Sequence, residues 1–284
     1  MRLDDLRPTE NVDDRRGSSF GGYGPHIAVG GGGLGLVAIV VLSLLFGVDP
    51  SQLLNGTDTG GTPAQQTDGA AGPRADDAAF QFARKIVGSA EDVWTPILKA
   101  KGVTFTPATF TAYDSETPTG CGEGQSSAGP FYCPADSRIY LDLSFFNELA
   151  DRFGAPGQFA QAYVIAHEYG HHVQNLLGTM SQHDTSSTGA NGDSVRTELQ
   201  ADCYAGVWAY HANAQFHILQ AGDVDAGLRA ASAVGDDTLE KQAQGYVVPD
   251  SFTHGTSEQR VRWFRRGLAN GDMDRCDTFG ASTL

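Results

Sequence analysis

The sequence predicts an α+β chain, mainly helical with a small sheet, set behind a single membrane-spanning helix and a flexible linker. Three observations lead there. Within residues 77–284 the strand-like runs come early and the helical runs late, which is the order of an α+β domain. A helix-periodic segment near the centre carries His167-Glu168-Tyr169-Gly170-His171. An uncharged stretch from Ala28 to Val48 is followed by a polar, glycine-rich tract.

The uncharged stretch reads as a transmembrane helix over residues 28–48, since about 20 apolar residues cross a bilayer. Gly30 to Gly33 weaken it, but glycine is tolerated in such helices. A cleaved signal peptide would need a basic leader and a small-x-small site, and Leu44-Leu45-Phe46-Gly47-Val48-Asp49 offers none. Arg2, Arg7, Arg15 and Arg16 precede the span, and no Lys or Arg follows it until Arg74. Positive charge stays inside, so residues 1–27 are expected in the cytoplasm and the bulk of the chain outside, as in a single-pass protein of a bacterial cell membrane. Residues 49–76 are too rich in Gly, Thr, Gln, Asp, Ser and Pro to bury a core and read as a linker. Residues 77–284 fit one domain.

Within that domain Asp77 to Ala100 is expected to be a helix, interrupted near Gly88 and Pro96. Val103-Thr104-Phe105 and Thr109 to Tyr113 read as short strands, and Arg138 to Leu143 alternates as a third. This last strand is the expected free edge for an extended peptide. Ser144 to Phe153 is a short helix. The next helix follows Pro156 and stops at Gly178, both in preferred places. Its stripe is Phe159, Tyr163, Ala166, Gly170, Val173 and Leu177. Gly170 costs about 1 kcal/mol relative to Ala inside a helix, so a backbone or a substrate is expected to come close there. Ser194 to Ala205 is a further helix, capped by Asp193 or Ser194. Gly222 to Val234 and Glu258 to Leu268 complete the set.

The H-E-x-x-H spacing puts two imidazoles one turn apart on one helix face, with a carboxylate beside them. That pattern suits a zinc ion whose open position holds water. No H-x-x-G-x-x-H extension follows, so the third ligand lies elsewhere. Glu198 and Asp202 are four apart and share a helix face. The pair resembles the E-x-x-x-D element of gluzincins, which implies Glu198 as a zinc ligand and Asp202 as the carboxylate that orients a ligand His. His172 points about 100° away from His171 and is read as a packing or solvent-facing residue. His26, His183, His211 and His217 lack partners in sequence. His254, in the loop before the last helix, could hydrogen-bond an oxyanion or could be structural.

The four cysteines Cys121, Cys133, Cys203 and Cys276 allow three pairings. The local pair Cys121–Cys133 is preferred, leaving Cys203–Cys276. No C-x-x-C spacing supports a cysteine zinc site. The net charge of −15 and the lack of a basic patch argue against nucleic acid as a partner.

Taken together, Cys121-Gly122, Gly129 to Pro134, Ile139 to Asp142, His167 to Gln174, Glu198 to Cys203, Phe252 to Ser257 with Gln259-Arg260, and Asp14-Arg15-Arg16-Gly17 resemble the bacterial family described as putative neutral zinc metallopeptidases. The resemblance implies a membrane-anchored zincin-like domain with Zn2+ on His167, His171 and Glu198. A peptide or protein substrate is then expected, with Glu168 as general base and His254 at the oxyanion. Two other readings stay open: a tethered zinc scaffold without activity, and an amidase acting on cell-wall peptides.

Overall fold

The computed structural model describes residues 1–17 and 76–284. Three strands run parallel: β1 (Val12–Asp14), β2 (Thr109–Tyr113) and β6 (Arg138–Asp142). Between β2 and β6 the chain makes a separate hairpin of β3 (Glu116–Thr119) and β4 (Gly122–Gln125). It then adds β5 (Phe131–Cys133), antiparallel to β6, so that the sheet order is β1-β2-β6-β5. Side chains alternate between the two faces, as the period of two requires. Phe110, Ala112, Ile139 and Leu141 enter the main core. Tyr113, Cys133 and Tyr140 form a smaller cluster with Phe131 on the other face.

The helices are α1 (Asp77–Ala100), α2 (Phe145–Asp151), α3 (Gln158–Leu177), α4 (Thr179–Gln182), α5 (Asp193–Phe216), α6 (Asp223–Ala233), α7 (Asp236–Gln244) and α8 (Ser257–Asn270). Helix α3 is central: every residue from Ala162 to Gln174 is buried. Its C-terminus closes on Gly178 in the left-handed conformation (φ 76°), which glycine adopts without strain. Helix α5 crosses α3 where a Cβ on Gly170 would lie 2.9 Å from the Ala201 carbonyl oxygen. The close neighbour expected at Gly170 is therefore a backbone. Helix α8 lies as close to α5: a Cβ on Gly206 would meet the Phe264 carbonyl oxygen at 2.1 Å. The indole of Trp208 on α5 donates to Ser89 on α1 at 3.0 Å, which ties these layers together.

Several local expectations are corrected. Helix α1 runs unbroken through Gly88 and Pro96. Its buried face, from Phe80 to Leu98, outweighs both local penalties. Val103-Thr104-Phe105 is no strand; Val103 N–H donates to the Leu98 carbonyl and closes the end of α1. Neither Asp193 nor Ser194 caps α5, which starts after Gly192 without a side-chain cap. Arg138 to Asp142 is not an edge strand, because β2 and β5 flank it. The edges are β1 and β5.

The largest correction concerns the N-terminus. Residues 1–17 were expected on the far side of a membrane from residues 77–284, yet the two share one sheet and one core. Leu6 is buried in that core. Thr9 Oγ1 donates to Glu91 Oε1 at 2.5 Å and Asn11 Nδ2 donates to the same oxygen at 2.9 Å. Arg2 N–H donates to the Ile218 carbonyl at 2.9 Å. A Cβ on Gly88 would lie 2.3 Å from the Arg7 carbonyl oxygen, so this segment also explains the glycine inside α1. Three of the four arginines read as a topology signal are ion-paired within the domain. Arg7 pairs with Glu91 and Asp92, Arg15 with Asp13, and Arg16 with Asp14. A single crossing between residues 17 and 77 cannot put its two flanks on opposite sides of a bilayer when the flanks pack together. The stretch expected to span, 28–48, lies outside the described residues. Among the described residues no helix is long and apolar enough to cross a membrane. The expected single-pass topology, with a cytoplasmic N-terminus and an external domain, is overturned.

Candidate metal centre

Helix α3 presents His167, Glu168 and His171, and the crossing at Gly170 and Ala201 brings Glu198 and Asp202 of α5 against them. One ligand atom each from His167, His171 and Glu198 lies within 4.8 Å of the others. The two Glu198 oxygens divide between the imidazoles. Oε2 is 3.1 Å from His167 Nε2 and Oε1 is 3.5 Å from His171 Nε2. Two imidazoles and one carboxylate form a donor set that fits catalytic zinc, with the remaining position left to water or substrate.

Behind these three residues the site is built from buried charge. Asp202 Oδ1 lies 2.9 Å from His167 Nδ1. Arg260 of α8 clamps the same carboxylate, Nε to Oδ2 at 2.8 Å and Nη2 to Oδ1 at 3.0 Å. The Tyr163 hydroxyl also donates to Oδ1. Burial works against a charged Asp202, but Arg260 and then His167 outweigh it and hold the carboxyl down at about 2. A carboxylate that must accept from His167 fixes Nδ1–H and leaves Nε2 facing Glu198.

Glu168 is buried beside the two histidines and stands outside the candidate donor set. Burial raises its pKa, and His167 and His171 pull it back only in part. A carboxyl moved up towards neutrality is suited to take and return a proton.

His254 is held by Asp236, the first residue of α7. Asp236 Oδ1 lies 3.2 Å from His254 Nδ1. Asp236 Oδ2 accepts from the backbone N–H groups of Thr253, His254 and Gly255 at 2.7–2.9 Å. Burial opposes a charged His254, but Glu198 and Asp236 outweigh it and raise its pKa. The loop thus carries His254 into the electrostatic reach of Glu198.

The other histidines are accounted for differently. His172 Nε2 donates to the Thr106 carbonyl at 2.7 Å, and its Nδ1 lies 3.1 Å from the Tyr132 hydroxyl, so it packs β5 against α3. His183 stacks on Phe279, and His211 bonds the Gly271 carbonyl. His217 ends α5, and His26 lies outside the described residues. Both disulfides pair as preferred, Cys121–Cys133 and Cys203–Cys276.

Sequence reasoning missed Asp236, read Tyr163 only as part of the helix stripe, and saw Gln174, Gln200 and Arg260 only as part of a family pattern. Spacing could not expose Tyr163 beside Asp202, Gln200 beside Gln174 or Asp236 beside His254, since these meet through tertiary packing. The one local signal was Gln174, a polar residue one turn beyond Gly170 on the buried side of the motif helix.

A family model described as "Putative neutral zinc metallopeptidase" matches residues 1–279. The chain belongs to this family. The match includes residues 1–17, which the fold places in the domain's own sheet. Among the family's relatives, uncharacterized protein YpfJ of Escherichia coli (strain K12) is 46% identical over 291 residues, covering 99% of this chain and 100% of the relative. An uncharacterized protein of Mycobacterium tuberculosis (strain H37Rv) is 45% identical over 206 residues, 69% of each chain. No solved structure gives a significant match. The family name carries zinc and peptidase chemistry, in line with the donor set.

Proposed function

We propose that the chain is a zinc-dependent endopeptidase in which His167, His171 and Glu198 hold the metal and Glu168 is the general base. The observation that carries this reading is the convergence of the three ligand atoms within 4.8 Å, with the buried Glu168 left over beside them. A scaffold site would have no use for that carboxylate. Bound zinc would polarise the scissile carbonyl and bring a coordinated water's pKa to about 7. Glu168 takes the proton of the attacking water and later returns it to the leaving amine. Asp202, backed by Arg260 and Tyr163, keeps His167 in the tautomer that offers Nε2. His254, steadied at Nδ1 by Asp236, supplies a donor to the developing oxyanion. Edge strand β5, tied to α3 through Tyr132 and His172, is the place for an extended peptide to pair.

The test is Glu168→Gln in the full chain, with zinc content and cleavage of an unbiased peptide library as readouts. The variant should keep one zinc and lose turnover by about 100- to 10,000-fold. Undiminished cleavage would rule out the assigned base. A folded wild-type chain that takes up no zinc would sink the reading itself.

A further inference from the structure

Two buried glutamines stand behind His171. His171 Nδ1 lies 2.8 Å from Gln174 Oε1. Gln174 Nε2 donates to the Thr197 carbonyl at 2.8 Å and to Gln200 Oε1 at 3.0 Å. Gln200 Nε2 donates in turn to the Cys276 carbonyl at 3.0 Å. Gln174 and Gln200 are both buried, so water cannot stand in for a lost partner.

The direction of this chain is set at its anchors. Backbone carbonyl oxygens only accept, so the amide ends facing Thr197 and Cys276 must be NH2 groups. Gln200 therefore turns its oxygen to Gln174, and Gln174 turns its oxygen to His171. Flipping Gln174 would set two acceptors 2.8 Å apart at Thr197. An acceptor facing Nδ1 requires a proton there.

We propose that Gln174 and Gln200 are positioning residues that hold His171 with its proton on Nδ1, leaving Nε2 for the metal. The inference rests on the zinc reading above and deepens it. The two ligand histidines are then oriented by different chemistry: His167 by a carboxylate and His171 by a neutral amide relay. The relay ends on Cys276, whose disulfide to Cys203 returns to α5 beside Asp202. The C-terminal segment thereby helps to set the geometry of the ligands.

Nitrogen-15 NMR of the histidine rings in the full chain tests the relay directly, zinc-free and zinc-loaded. His171 Nδ1 should carry a proton in both; an unprotonated Nδ1 overturns the proposal. Zinc affinity by chelator competition is the second readout. Gln174→Leu should weaken binding by about 10- to 100-fold, and Gln200→Leu should also weaken it. Gln174→Met, which keeps the length and bulk of the side chain but loses the strong acceptor towards Nδ1, should bind as weakly as Gln174→Leu, whereas a purely packing role would let the methionine bind as the wild type does. Wild-type affinity in both leucine variants would overturn the proposal. If a leucine variant fails to fold, the wild-type NMR result decides. A wild-type chain that binds no zinc but carries the Nδ1 proton would sink the metal reading and support the relay.

Discussion

Asp202 has no exposure to solvent and still carries a charge, because Arg260, Tyr163 and His167 surround it. Its folded pKa of about 2 lies below the ordinary 3.8. A depressed carboxyl contributes stability that is complete above the unfolded value and lost as pH falls from about 4 to about 2, here roughly 2 kcal/mol. The thermal midpoint of the zinc-free chain should therefore drop across that window, and more gently in Asp202→Asn; equal slopes would refute the assignment. Glycines at the helix crossings are a second residue-scale matter. Gly170→Ala presses on the Ala201 carbonyl, and Gly206→Ala presses harder on that of Phe264. Denaturant titration should show losses of about 1–3 kcal/mol, larger at Gly206. A neutral result at Gly206 would mean that α5 and α8 are not in the contact described. The sequence already marked Gly170 as a place of close approach. It could not say what approaches, because Ala201 is remote along the chain.

At the scale of elements, the N-terminal segment behaves as part of the domain. Strand β1 covers the edge of β2, with Val12 opposite Phe110 and Asp14 opposite Ala112. Arg16 lies over the Phe80 ring at 3.9 Å and bonds Asp76 and Asp77 at the start of α1. A chain beginning at residue 77 loses these contacts, leaves Glu91 buried without Thr9 and Asn11, and opens a strand edge. Breaking a buried charged network costs about 3–5 kcal/mol, which lowers the thermal midpoint by roughly 10 °C at this size. Calorimetry of the truncated and full chains would show it; equal midpoints would make the segment dispensable. The motif helix, the strand at Thr109 to Tyr113 and the final helix were legible because their periodicity is strong. Strand β1 was not: three residues before Arg15-Arg16 were absorbed into a charge pattern read as a topology signal, and only the pairing with β2 reveals a strand. Helix α7 was hidden for a related reason, since it buries only Asp236 and Leu239.

Over the whole molecule, the two disulfides should differ in weight. Cys203–Cys276 spans 73 residues and Cys121–Cys133 spans 12. Chain-entropy arguments give about 4 kcal/mol for the longer loop and about 3 kcal/mol for the shorter. The longer bond also anchors the carbonyl that ends the glutamine relay. Cys203→Ser with Cys276→Ser should therefore lower both stability and zinc affinity, while the Cys121 and Cys133 pair should lower stability alone. Unchanged zinc affinity in the first double variant would separate the disulfide from the site.

Residue types and spacing were enough to pick out the centre of the candidate site: His167, His171 and, beside them, Glu168 lie within one helical turn and a half, where local geometry is nearly independent of the rest of the chain. Glu198 and Asp202 were legible as a helical pair, and the even cysteine count pointed to two bonds. Contacts between distant segments were decided by the tertiary structure alone. It placed Arg260 behind Asp202, Asp236 behind His254 and Gln200 behind Gln174. It also reversed the reading of the N-terminus, because a charge pattern records the presence of arginines and only packing shows that Arg7, Arg15 and Arg16 are paired with carboxylates.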